Sequence, residues 1–256
     1  MALFGGKSPS QLTLSDALMI GFRTVLQPNF IIPILVIGAV VNIIVIAAIV
    51  PIVTSLVLGK ATGDSAVIGG AIAASILGAV IATIVGGLIL NLYGQVWTTM
   101  ASVGEAPTVN ATFERVKLRW VGMLGAGLIT GAITLGIMIV GGILAAILGP
   151  LGIVVFLVAV VAAIYIGARL SMSGWLAADG AAAMDAVKAS WALTQGKLLL
   201  IVGWGFVFAV VFGIIGSILG AILGIVPVIG LALAQAIVSA FGFGSGVSLY
   251  RKVKGD

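Results

Sequence analysis

Any chemistry done by this chain must come from carboxylates, amines, guanidinium groups and hydroxyls, because its 256 residues include no Cys and no His. That excludes disulfides, thiol nucleophiles, thiolate-ligated zinc and imidazole metal sites, and it removes the commonest general base. The acids are Asp16, Asp64, Glu105, Glu114, Asp179, Asp185 and Asp256, and all of them lie at the edges of long apolar runs. Ion-coupled transporters place ionisable groups near the bilayer centre despite the cost, so this placement weighs against a proton or sodium pump. Gly244-Ser245-Gly246 offers a serine with no His to activate it. A Ser–Lys dyad would need a Lys inside an apolar run, and none is there. No Gly-x-Ser-x-Gly elbow, Walker loop or dinucleotide fingerprint occurs. The expectation is no catalytic residue, no metal ligand and no cofactor.

Polar residues inside the apolar runs are few. Asn42 and Gln235 are the candidates for a polar patch in a narrow cavity, with Thr83, Thr130, Thr134, Tyr165 and Ser217 as lesser ones. The competing reading is structural: Ser and Thr hydroxyls satisfy their own helix, while Asn and Gln bond across helices. Arg169 sits near the end of a run and is expected to snorkel to headgroups rather than bind a substrate.

What positions these residues is a membrane fold. The chain is 62% hydrophobic and 7% charged, against roughly a quarter charged in soluble domains. About 20 apolar residues cross a bilayer core. The charge-free stretches 24–59 and 65–104 each hold one such span, and 120–168 and 198–250 each hold two. The turns read as Lys60-Ala61-Thr62-Gly63-Asp64-Ser65, Gly149-Pro150-Leu151-Gly152, and Gly224 to Gly230 around Pro227. The expected class is therefore all-α, a polytopic protein with transmembrane helices near 31–56, 67–93, 121–147, 152–174, 199–223 and 228–249.

Eleven of the twelve Lys and Arg residues can be placed on one side of such a six-helix fold, leaving Lys60 alone on the other. By the positive-inside rule this puts both termini in the cytoplasm, and the expected location is a prokaryotic inner membrane. The net charge of +5 is read as meeting lipid headgroups, not nucleic acid. Tyr93, Trp97, Trp120, Trp175 and Tyr250 fall near the expected boundaries, as an aromatic belt would.

Small residues recur every four positions. Gly70, Gly78 and Gly86 do so with alanines between them, as do Gly127 and Gly131, and Gly216, Gly220 and Gly224. Fourfold spacing keeps them on one helix face, where backbones can approach closely. Such faces can pack within the bundle or against another membrane protein.

Three segments before apolar hairpins look alike, beginning at Asp16, Asn110 and Asp185. Leu14, Leu18, Phe22 and Val25, then Phe113, Val116 and Trp120, then Met184, Val187 and Trp191 form apolar stripes beside charged residues. They are expected as cytoplasmic interfacial helices, the alternative being simple overhangs of the spans. Thr13-x-x-Asp16 forms a capping-box variant at the first, and Pro28 is expected to end it. One domain, 1–256, then divides into pseudo-repeats of about 10–104, 105–180 and 181–256.

The third segment, Asp185-Ala186-Val187-Lys188-Ala189-Ser190-Trp191-Ala192-Leu193-Thr194-Gln195-Gly196-Lys197, resembles a signature of prokaryotic six-span proteins. These are the YciC-like proteins and the membrane domain attached to some glycerophosphodiester phosphodiesterases. Leu12 to Ala17 followed by Gly21-Phe22-Arg23 is similar to their N-terminal helix. The resemblance implies a non-catalytic membrane module, since no phosphodiesterase domain is present. The function expected is a non-enzymatic scaffold or accessory subunit that packs against membrane lipids and other membrane proteins. The alternative is a permease for a small or lipid-like solute, with the repeats forming a central path.

Overall fold

The computed structural model describes residues 3–4, 7–62, 65–223 and 227–255. The Gly63-Asp64 turn and Gly224 lie outside the described residues, as do the surroundings of Lys60 and Gly70. Helices α1 (Leu14–Val25), α2 (Pro28–Thr62), α3 (Ser65–Ser102), α4 (Val109–Ile147) and α5 (Gly152–Leu170) are followed by two short helices, α6 (Ser173–Asp179) and α7 (Ala183–Leu193). Two long ones, α8 (Leu198–Leu223) and α9 (Pro227–Lys254), complete the fold, and no strand occurs among the described residues. Six of the helical stretches are long and apolar enough to cross a membrane. Helix α2 packs on α3, α4 on α5 and α8 on α9, while α9 also lies against α1 and α2.

The helix starts follow local chemistry. Thr13 caps α1: its Oγ1 accepts from the Asp16 amide at 3.2 Å while the Asp16 carboxylate accepts from the Thr13 amide at 2.9 Å. Helix α1 ends at Val25, shortly before Pro28 as expected, and Pro28 itself occupies the first position of α2, where its missing N–H costs nothing. Thr108 caps α4 through the Ala111 amide. From there α4 continues unbroken through Ile147, so the second amphipathic segment is not a separate helix. Good helix formers run from Glu114 to Arg119 with no Pro to interrupt them.

The fifth helix departs from expectation. It ends at Leu170, not near 174, and α6 starts at Ser173 after a break. The break is filled from another helix. Ser190 on α7 donates its hydroxyl to the Arg169 carbonyl at 2.9 Å and accepts from the Met172 amide at 3.2 Å. Thr194, one turn on, donates to the same Arg169 carbonyl at 3.1 Å. Backbone groups freed by ending the helix are thus satisfied by two side chains that share a face.

A similar exchange occurs at Pro33, inside α2. A proline has no N–H to give the carbonyl four residues back, here Asn29. The Tyr93 hydroxyl, from α3, donates to that carbonyl at 2.6 Å.

The molecule has a closed end and an open end. At the closed end Lys252 donates to the carbonyls of Ser10 and Leu12, so the first and last parts of the chain meet there. Phe30, Tyr93, Trp97, Trp175, Val247 and Tyr250 are buried in one cluster at this end. Phe30 meets Trp97 edge-on at 4.8 Å, and Trp175 stacks on Tyr250 at 6.2 Å between centroids. Four of the five aromatics expected in a lipid-facing belt are therefore core residues, and only Trp120 is exposed. The helices converge where they re-enter this end, so bulky rings fill the space between them. Toward the open end, Ile43, Ile44, Ile81, Ile84, Val158 and Val161 are all exposed, as lipid-facing residues would be.

Candidate functional site

Every described charged side chain lies on a closed-end segment, and most are tied into the structure. The hub is Asp179, the last residue of α6. It accepts from the Arg251 guanidinium at 3.0 Å, from Lys254 at 3.2 Å and from the Tyr250 hydroxyl. Arg251 is 4% exposed, and its Nε reaches Ser102 Oγ at 2.9 Å. A charge buried to that degree persists only when paired and hydrogen-bonded. Asp179 thus joins α6 to α9, and Arg251 adds the end of α3.

Other cations cap helix ends. Arg119 of α4 donates to the Ala178 carbonyl in the last turn of α6, and Lys197 donates to the Val253 carbonyl in the last turn of α9. Both satisfy carbonyls that a helix terminus leaves open, at the negative end of its dipole. Gly180, with φ at +116°, makes the turn that lets the chain leave α6 beside Arg119. The Arg169 guanidinium lies 4.6 Å from the centre of the Trp191 ring and 6.0 Å from that of Tyr165, and is 8% exposed. It rests inside protein rather than extending to headgroups as the sequence led us to expect, because α7 folds back over it.

A cavity of about 710 Å³ opens beside this network. Its walls come from the end of α1, the start of α2, the end of α3 and the loop after it. Arg23, Gln27, Asn29 and Glu105 supply polar groups, and Leu26 and Trp97 supply apolar surface. Trp97 is 3% exposed, and its indole N–H finds no acceptor among the described residues. Glu105 already has a partner in Arg115 at 3.2 Å.

The sequence-derived candidates are dispersed. Asn42 donates to the Gly38 carbonyl of its own helix at 2.9 Å. The Gln235 side-chain oxygen lies 3.7 Å from where a Cβ on Gly38 would stand, so both amides border the α2–α9 seam, but no bond joins them among the described residues. Thr83 and Thr134 each donate to the carbonyl four residues back, while the Thr130 hydroxyl meets that of Ser173 on α6 at 3.1 Å.

Of the eight glycines singled out, Gly86 lies directly against Val41 of α2, and a Cβ on Gly216 would stand 3.8 Å from Val238, at ordinary contact distance. Gly78, Gly127, Gly131 and Gly220 have no neighbour within 4 Å of that position. Comparable approaches occur at glycines outside those stripes. A Cβ on Gly21 would stand 2.5 Å from Ser245 Oγ, one on Gly244 would strike Thr24, and one on Gly246 would stand 2.9 Å from Trp175. Gly244-Ser245-Gly246 is therefore where α9 receives α1 and α6, with Ser245 donating to the Ala17 carbonyl at 3.2 Å.

Sequence reasoning missed Asp179 as a hub and Trp97 as a cavity wall. An acid set among Ala177, Ala178, Gly180 and Ala181 was the available signal for the first, since an isolated carboxylate beside apolar residues needs a partner. Comparison with protein-family models, with curated proteins and with solved structures returns no match.

Proposed function

We propose that this chain is a non-enzymatic scaffold or accessory subunit of a prokaryotic cytoplasmic membrane, with its closed end and both termini facing the cytoplasm. The observation that carries this reading is the division of the fold. Most described cations and acids on the closed end are engaged with one another and with helix ends, which favours a structural role for them. The open halves of the spans present apolar side chains and the unpartnered glycines Gly78, Gly127, Gly131 and Gly220. Small-residue faces of this kind accept another helix or a lipid. Over a permease, this reading is favoured because the Thr54, Thr83 and Thr134 hydroxyls are spent within their own helices. The resemblance of 185–197 to YciC-like proteins and the pairing of α2 with α3, α4 with α5 and α8 with α9 support a threefold hairpin repeat.

Two measurements test this. The chain has no Cys, so single cysteines report topology on a clean background. Lys188→Cys should label only after permeabilisation and Lys60→Cys in intact cells; the reverse pattern would overturn the orientation. Native purification with mass spectrometry should find a stoichiometric membrane-protein partner. A monodisperse chain without one that moves solute across a proteoliposome membrane would replace the scaffold by the permease.

A further inference from the structure

We infer that the cavity beside α1 is a binding site for the phosphate-bearing headgroup of an anionic phospholipid. Three features specify the ligand. Arg23 is exposed at the cavity, with no carboxylate partner among the described residues. A guanidinium fork matches phosphate geometry. Gln27 and Asn29 add amide donors, and the only acid in the wall, Glu105, is neutralised by Arg115. The Trp97 ring, whose indole N–H is buried without an acceptor among the described residues, gives these groups a rigid apolar wall.

Apart from Thr108, the remaining wall is apolar, including Leu26, which is 77% exposed, and Ala101. A free anion would leave that surface wet, whereas a lipid would cover it with glycerol and acyl carbons. The volume lies within the range of ligand sites. The position also fits, since the cavity sits where Pro28 begins a span and α1 exposes Met19 and Phe22 beside Arg23. This inference rests on the membrane reading above and goes beyond it by naming a site and a ligand class.

The test uses the full chain, purified in detergent and placed in nanodiscs of phosphatidylcholine containing a minor fraction of phosphatidylglycerol. Native mass spectrometry after release counts retained lipids. The wild type should retain phosphatidylglycerol at least fivefold over its share of the bilayer. Arg23→Gln should bring that enrichment down about fivefold, to the bilayer share, and Gln27→Ala, which removes one amide donor, should lower it about twofold. Enrichment that is absent in the wild type, or unchanged in Arg23→Gln, would overturn the site. Should Gln27→Ala fold poorly, the surface variant Arg23→Gln alone decides. Competition by millimolar inorganic phosphate without loss of acyl contacts would assign the site to a free anion and overturn the lipid. Failure to enter a nanodisc at all counts against the membrane reading, whereas entry without headgroup preference counts against the site alone.

Discussion

The closed and open ends of this molecule are built from the same six long helices but held by different forces. At the closed end, rings, buried hydroxyls and the Asp179 network fix one arrangement. At the open end, exposed Ile, Val and Leu meet only one another and the solvent of the bilayer. Lipid tails are as apolar as leucine, so hydrophobicity alone cannot tell one helix–helix register from another there. Specificity must come from directional contacts and close backbone approach: the directional contacts concentrate where the chain returns to the side of its termini, while close approaches occur at both ends, as at Gly244 against Thr24 and Gly152 against Ala145.

Substitutions can break that contrast, the largest effects being expected at the closed end. Asp179→Ala removes a carboxylate shared by Tyr250, Arg251 and Lys254 around a guanidinium that is almost fully buried. It should cost about 3–5 kcal/mol in denaturant titration of the detergent-solubilised protein, against about zero for exposed Glu114→Ala. Next is Gly244→Leu, which would drive a side chain into Thr24 and the Gly21 backbone. A cost of about 1–3 kcal/mol and release of α1 to proteolysis are expected. Gly220→Leu should leave monomer stability unchanged, since nothing lies near it, and alter only association measured by cross-linking in membranes.

Smaller effects sharpen the picture. Tyr93→Phe should cost about 1–2 kcal/mol by orphaning the Asn29 carbonyl. Adding Pro33→Ala should recover part of that, because an alanine there supplies the N–H that proline lacks; an additive double-mutant cycle would count against the exchange. Ser190→Ala should cost about 1 kcal/mol, read in the same titration, by leaving the Met172 amide without an acceptor.

The smallest effect is electrostatic. The Lys7 ammonium hydrogen-bonded to Asp16, with the Thr13 amide and hydroxyl, holds the Asp16 carboxyl well below its ordinary range. A depressed folded-state value stabilises at any pH above the unfolded value and is lost as pH falls beneath it. Hydrogen exchange in α1 should therefore rise, relative to α9, between pH 5 and below pH 3 (about the ordinary carboxylate range), and Asp16→Asn should remove that change.

Much of this fold is legible in the residues, for reasons that differ by feature. The six spans follow from uninterrupted hydropathy, and the Gly149-Pro150 turn from residues that stop any helix. The Thr13 cap is local chemistry and could be seen at once. The end of α5 could not, because Ser171 and Met172 do not forbid a helix; the break depends on Ser190 and Thr194 arriving from elsewhere. Periodicity places Gly78, Gly86, Gly127 and Gly220 on helix faces but does not say what faces them, and only Gly86 among these four meets a neighbour. Likewise the sequence places Tyr93, Trp97, Trp175 and Tyr250 toward the ends of apolar runs, while the choice between lipid and core belongs to tertiary packing.

The tyrosine that serves the proline-freed carbonyl sits 64 residues downstream of it. Ribosomes add about 5–20 residues each second, so the start of α2 waits roughly 3–13 s for its donor to be made. Until then that carbonyl lacks its tyrosine donor, so the start of α2 completes its hydrogen bonding only when its hairpin partner has been made.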